Sequence, residues 1–312
     1  MKRIRIRVPA TSANLGPGFD VLGIALKLYN EIEVSAGGTA TQNSRLKVSI
    51  DIEGEGKDLL PRGEDNIVWQ TMKQVFAAEK KASGKKLPFD TVHIRLVNGI
   101  PLSSGLGSSA AARLGGILGA YALLGKKPSL KETAALGCSL EGHPDNIVPA
   151  ILGGLCVSAF INNEVQYVKL ACPGLKATVC TPNFGLATEQ SRKILPRTVP
   201  FATAVFNASR VALLLSAFST RQYGLLGAAM EDKLHQPYRE PLIPGMKKVV
   251  EAAMRSGAYG TALSGAGPSL LAFGSPAKAK KIGQNMKDTW QKFNISSRYF
   301  VLDFDTQGAR FL

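Results

Sequence analysis

Pro101-Leu102-Ser103-Ser104-Gly105-Leu106-Gly107-Ser108-Ser109-Ala110-Ala111-Ala112 is the stretch that decides how this chain is read. It follows a strand pattern ending near Val97 and opens a run rich in Ala and Leu, Ser108–Leu124, that reads as a helix. Gly105 and Gly107 let the backbone approach an anion with no side chain in the way. A helix start placed directly after them offers unpaired N–H groups and the positive end of its dipole. Ser108 and Ser109 either cap that helix or give hydroxyls to phosphate or Mg²⁺. The loop is not a Walker A sequence, because no lysine follows its glycines, and the dinucleotide pattern G-x-G-x-x-G fails at Ala110. A glycine-rich turn capped by serine is the plain alternative.

Upstream, Val8-Pro9-Ala10-Thr11-Ser12-Ala13-Asn14-Leu15-Gly16-Pro17-Gly18-Phe19-Asp20 follows a first strand, Ile4–Val8. Its Gly-Pro-Gly forces a sharp turn that can bring Asn14 and Asp20 to one side, or merely let them satisfy the backbone of a hairpin. Downstream, Leu140-Glu141-Gly142-His143-Pro144-Asp145-Asn146-Ile147-Val148-Pro149-Ala150 ends one helix at Gly142 and starts another that Asp145 or Asn146 can cap. His143 reads as a loop histidine. Farther on, Thr188–Pro196 carries Arg192, and His235-Gln236-Pro237-Tyr238-Arg239 carries a second arginine 47 residues later. The planar fork of arginine binds carboxylates bidentately, although a solvated surface position is the alternative for each. Thr261-Ala262-Leu263-Ser264-Gly265-Ala266-Gly267-Pro268-Ser269-Leu270 joins two strands through glycines that permit a tight turn.

Together these stretches resemble the three motifs of the GHMP kinases of small molecules, in the form found in homoserine kinases. Pro-x-x-x-Gly-Leu-Gly-Ser-Ser-Ala is that family's central motif, and the resemblance runs from about Val8 to Asp305. It implies a two-domain α+β fold with the active site in the interdomain cleft, divided into a nucleotide-binding domain, 1–160, and a C-terminal domain, 161–312. It implies that Pro101–Ala111 hold ATP and that Glu141, with Ser109, holds Mg²⁺. Asn14 and Asn146, with Asp145 beside them, would face a substrate hydroxyl. Asp20 would hold a substrate ammonium, Arg192 and Arg239 its carboxylate, and Thr188 and Gly265 would complete the substrate site. The substrate so described is L-homoserine, phosphorylated on its hydroxyl on the way to threonine. The resemblance also implies a homodimer. A mevalonate or shikimate kinase of the same fold is the second reading, disfavoured because Asp20, Arg192 and Arg239 suit a zwitterion. A catalytically silent binding protein on this scaffold is the third, disfavoured by Glu141, Ser109 and the glycine loop.

Composition is consistent with this and excludes other classes. The chain has 312 residues, with 38 Lys+Arg against 23 Asp+Glu and a net charge of +15. Its basic residues are scattered and do not interleave with aromatic ones, so they read as a solvated surface that attracts anions such as ATP, not as a nucleic-acid site. Four widely spaced cysteines without CxxC read as reduced thiols of a cytoplasmic protein. The N-terminus has no signal-peptide pattern, and the longest apolar run, Val211–Ala217, reads as a buried helix and not a membrane span. Strand patterns at Leu26–Val34, Leu46–Ile52, Thr91–Val97, Leu155–Phe160, Val165–Leu170, Lys176–Thr181 and Ser297–Leu302 mix with helix patterns, Leu130–Glu141 among them, without strict alternation, which favours α+β.

Overall fold

The alternation of Ile4–Val8 places Ile6 and Val8 in the core and turns Arg5 and Arg7 outward, where both meet Glu31 on the next strand. The computed structural model describes residues 3–39 and 46–312. In its first half the elements are β1 (Ile4–Ala13), β2 (Leu22–Gly37), β3 (Lys47–Gly54), α1 (Ile67–Ser83), β4 (Thr91–Asn98), α2 (Ser108–Leu123), α3 (Leu130–Glu141), α4 (Pro144–Leu152), β5 (Leu155–Ile161) and β6 (Glu164–Leu170). The second half holds β7 (Lys176–Pro182), α5 (Thr188–Lys193), α6 (Phe201–Thr220), α7 (Leu226–Ala229), α8 (Gln236–Arg239), α9 (Met246–Arg255), β8 (Gly260–Leu263), β9 (Leu270–Gly274), α10 (Pro276–Gln291), β10 (Ser297–Leu302) and β11 (Arg310–Phe311).

Two sheets carry the fold. The first runs β11-β1-β2-β4-β3, with β5 on another stretch of β2 and β6 beyond it. β3 and β4 pair in parallel, and the other pairs are antiparallel. The second sheet is antiparallel, in the order β10-β7-β9-β8. Helices α1 and α2 bury Trp69, Met72, Phe76, Leu114 and Ile117 in the larger core. Asn66 starts α1 by accepting from Val68 N, and a Ser129–Glu132 capping box starts α3. Behind the second sheet, α9 and α10 bury Val249, Ile282, Met286 and Trp290.

The α+β expectation holds, with local differences. β1 continues through Ala13, because Thr11 and Ser12 are buried against β2 and keep pairing with it. Asp145 and Asn146 do not cap α4. His143 is its N-cap without a side-chain bond, and Pro144 opens the helix. α6 is not a buried helix: it buries Asn207, Leu214, Ala217 and Phe218 and exposes Phe201 and Val205. By length and composition it is apolar enough to cross a membrane. In this fold, Asn207 is tied to Pro17 O and Asp232, and Arg210 pairs with Glu231. The first sheet includes both β5 and β6; the chain enters the second sheet between Leu170 and Lys176 and returns to the first at β11.

One strand residue sets the distance between β2 and α4. Gly23 pairs with Ala13 on one side and Cys156 on the other, and a Cβ there would lie 1.9 Å from Asp145 O. Gly23→Ala should therefore push the first turn of α4 outward. Overpacking of this kind costs about 1–3 kcal/mol, so thermal unfolding should show a lowered Tm with the fold retained.

Candidate active site

Three segments from distant parts of the chain meet at Gly105. Thr11 N on β1 donates to Leu106 O at 3.1 Å, and a Cβ on Gly107 would lie 2.1 Å from Thr11 Oγ1. From the other side Ser264 Oγ donates to Gly105 O at 2.7 Å, and a Cβ on Gly105 would lie 2.1 Å from Ser264 O. Both glycines also have positive φ, +78° and +70°, which side chains rarely adopt. Ser12 Oγ and Ser264 Oγ share a hydrogen bond of 2.8 Å, Gly265 N donates to Ala13 O, and Ser269 N donates to Ser104 O. The glycine loop between β8 and β9 thus packs directly on the phosphate-type loop.

Around this junction lies a cleft of about 150 Å³. Asn14, Asp20, Ser103, Ser104, Gly105, Gly107, Ser108, Ser109, Glu141, Asp145, Asn146, Thr188, Arg192, Arg239 and Gly265 all line it. The remaining loop residues named from the sequence do not. Leu106, Ala110 and Ala111 point into the core, Pro101 is buried, and Leu102 faces two neighbouring grooves. Neither serine caps α2. Gly107 is its N-cap, with no side-chain bond, and Ser109 Oγ instead donates to Glu141 Oε2 at 3.0 Å. The first N–H groups of α2 therefore face the cleft without a side-chain acceptor, the arrangement that binds anions.

The acidic wall comes from the α3–α4 junction. Gly142 stops α3 with φ +87°, and Glu141, in its last turn, also accepts from Arg113 Nε at 2.8 Å. Asp145, buried in the first turn of α4, lies 2.8 Å from His143 Nδ1. Burial lowers the His143 pKa, yet the Asp145 hydrogen bond and charge outweigh it, and the net shift is upward. Asn146 Oδ1 accepts from Thr11 Oγ1 at 2.7 Å, tying α4 to β1. Glu141 and Ser109 are hard oxygen donors beside an anion-binding helix start, and this set suits Mg²⁺.

The arginines stand beside this acidic wall, where the Asp20 and Asp145 carboxylates come within 4.8 Å of each other. Arg192, in α5, holds Asp20 with both nitrogens, at 3.0 and 2.6 Å. Arg239 is fully buried, and its Nη1 donates to Gly265 O at 3.1 Å. Burial, with Arg192 nearby, pushes its pKa down to about 10, still leaving it charged at neutral pH. The Phe19 ring lies 5.4 Å from each guanidinium, a shared cation–π surface. Asn14 faces the cleft with its amide engaged: Nδ2 donates to Gly265 O and Oδ1 accepts from Asp20 N.

Sequence reasoning missed Thr11, Phe19, Arg113 and His143 as members of this neighbourhood. Thr11 and Phe19 lie inside the quoted N-terminal stretch. Arg113 sits one helical turn after Ser109, a spacing that could have exposed it. His143 was visible only as a loop residue, because its partner Asp145 acts across a helix start.

Comparison with known proteins identifies the family. Residues 66–154 match the family described as GHMP kinases N terminal domain, and residues 214–292 match GHMP kinases C terminal. The chain is 41% identical over 304 residues to the homoserine kinase of Carboxydothermus hydrogenoformans, covering 97% of this chain and 95% of the relative. It is 45% identical over 282 residues to that of Moorella thermoacetica, covering 90% of each. The crystal structure of homoserine kinase from Cytophaga hutchinsonii superposes with a TM-score of 0.86 at 31% identity, covering 100% of this chain and 98% of that one.

The His143–Asp145 contact can be checked by titration. In Asp145→Asn the carboxylate that raises the imidazole pKa is gone, while burial and Arg192 still lower it. The His143 pKa followed by NMR should fall below the ordinary histidine range. A value unchanged from the parent protein would show that Asp145 does not set it.

Proposed function

We infer the reaction from membership: the chain belongs to the GHMP kinase family, among the homoserine kinases, and it transfers the γ-phosphoryl group of ATP to the side-chain hydroxyl of L-homoserine, giving O-phospho-L-homoserine in threonine biosynthesis. The observation that carries the site assignment is the pairing, in one cleft, of an uncapped helix start with an acid and two arginines. The first suits phosphate, and the others suit the two charges of an amino acid.

Phosphoryl transfer asks a protein mainly for positioning and charge stabilisation. The backbone from Gly105 to Ser109 and the start of α2 hold the phosphates. Glu141 and Ser109 would hold Mg²⁺, which supplies charge neutralisation between phosphate oxygens. An apolar groove that shares Ser103, Ser108 and Ser109 with the cleft takes the base. Ile32, Leu60, Pro61, Val68 and Leu96 line it, with Asn66 and Asn98 among them.

Homoserine lies across the turn, with its ammonium on Asp20 and its carboxylate on Arg192 and Arg239. Because Asp20 and Arg192 bind one another, a zwitterion replaces their ion pair with two new ones and leaves no charge unpaired. Thr188 and Gly265 complete that end. Asn146 and Asn14 orient the hydroxyl toward the γ-phosphate. Asp145 is the carboxyl group beside them, already bonded to His143.

Two measurements test these roles. Arg239→Ala removes a buried charge partner, a loss of about 2–5 kcal/mol, so kcat/KM for homoserine should fall about 30-fold or more while ATP affinity holds. Arg192→Ala should fall less, since Arg192 is about one-third exposed. Loss of ATP affinity in either would place these arginines on the nucleotide instead. Glu141→Gln should leave the fold intact and shift the Mg²⁺ requirement of turnover to higher concentration, because an amide is a poor ligand for this ion. An unchanged Mg²⁺ titration would reduce Glu141 to a helix-end residue paired with Arg113.

A further inference from the structure

His235 does not line the cleft, yet it touches both halves of the substrate site. It is fully buried at the N-cap of α8, four residues before Arg239. Its Nε2 lies 2.8 Å from Gly16 O, and its Nδ1 lies 3.0 Å from Arg239 Nη1. The two partners demand the same tautomer. A carbonyl oxygen only accepts, so Nε2 carries the hydrogen. A guanidinium only donates, so Nδ1 is the free lone pair. Burial works in the same direction, lowering the His235 pKa and keeping the ring neutral despite nearby Asp232.

The surroundings fix this imidazole from every side. Asp232, whose side chain is buried, accepts from Leu234 N, His235 N and Gln236 N at 2.8, 3.0 and 2.7 Å, which sets the backbone that presents the ring. Asn207 Nδ2 joins Asp232 to Pro17 O, a second tie to the same turn. The Phe19 ring stacks on His235 at 5.2 Å. Arg239 Nη1 and Asn14 Nδ2 then converge on the same acceptor, Gly265 O. A closed circuit therefore runs from the Gly16 turn through His235 and Arg239 to Gly265, and back through Asn14.

We propose that His235 is a positioning residue for homoserine: as the Nε2–H tautomer it aims the Arg239 guanidinium and holds the Asn14–Asp20 turn in the same frame, so that the carboxylate and ammonium sites fit one substrate. This rests on the reading of Arg239 as a carboxylate-binding group. His235 touches no substrate atom and acts only through Arg239 and the turn.

The test is a double-mutant cycle with steady-state kinetics and thermal unfolding, using His235→Leu, His235→Gln, Arg239→Ala and the Leu/Ala double variant. A lost hydrogen bond to a charged group corresponds to about a 10- to 100-fold effect, and His235→Leu should raise the homoserine KM by that much with the ATP KM unchanged. His235→Gln should recover most of the loss, since its carbonyl can accept from Arg239 and its NH₂ can donate to Gly16 O. In the Arg239→Ala background, His235→Leu should add no more than about twofold. If the leucine variant does not fold, His235→Asn, one bond too short to span both partners, takes its place in the cycle. A full additive loss on top of Arg239→Ala, or an equal rise in the ATP KM, would mean that His235 is only packing. A parental homoserine KM in His235→Leu, beside a defective Arg239→Ala, also overturns the proposal. A parental KM in Arg239→Ala itself would instead overturn the carboxylate reading on which it rests.

Discussion

The contact on which this structure depends is the approach of three backbones at Gly105 and Gly107. Strand β1 reaches the loop through Thr11, and the β8–β9 loop reaches it through Ser264. No side chain fits at either glycine, because a Cβ would stand 2.1 Å from its neighbour. Interiors pack at crystal-like density and compress little, so such closeness leaves no room for an added atom. Keeping it joins the first sheet to the second, and the cleft lies along that joint. The same glycines leave the start of α2 open to an anion. Fold and function share one steric requirement here.

Charge organises the rest of the cleft. A chain of net charge +15 carries its acids sparingly, and four of them gather around this site: Asp20, Glu141, Asp145 and, behind them, Asp232. Each has a specific donor set. Asp20 takes Arg192, Glu141 takes Ser109 and Arg113, Asp145 takes His143, and Asp232 takes backbone N–H groups. Buried charges persist only when paired in this way. Ligands that bring both an ammonium and a carboxylate can exchange partners with such pairs without stranding a charge, whereas singly charged ligands cannot.

Much of this was legible in residue order. Gly-x-Gly followed by serines and an Ala/Leu run specifies a loop opening a helix, because glycine freedom and helix propensity are local properties. The strands β4, β7 and β10 and the helices α2 and α3 fall where alternation or periodicity places them, within a residue or two. The reading of α6 as buried went astray because hydropathy reports composition and not coverage. Nothing local says that Phe201 and Val205 face outward. Of the two roles open to the serines at α2, capping is the local one, and at Ser109 it yields to Glu141, which sits 32 residues away in sequence.

By itself, then, the sequence determined the kinds of groups available: an anion loop, an acidic helix junction, two arginines and a glycine turn, each a property of neighbouring residues. It also determined the α+β character, through patterns of period two and of period near four. Tertiary structure alone decided which of these groups meet. The bidentate Asp20–Arg192 pair spans 172 residues, the Gly16–His235 bond 219, and the Asn14–Gly265 bond 251. Such contacts depend on how two sheets and their helices pack. Packing is settled by shape and burial summed over the whole chain, which no short stretch encodes.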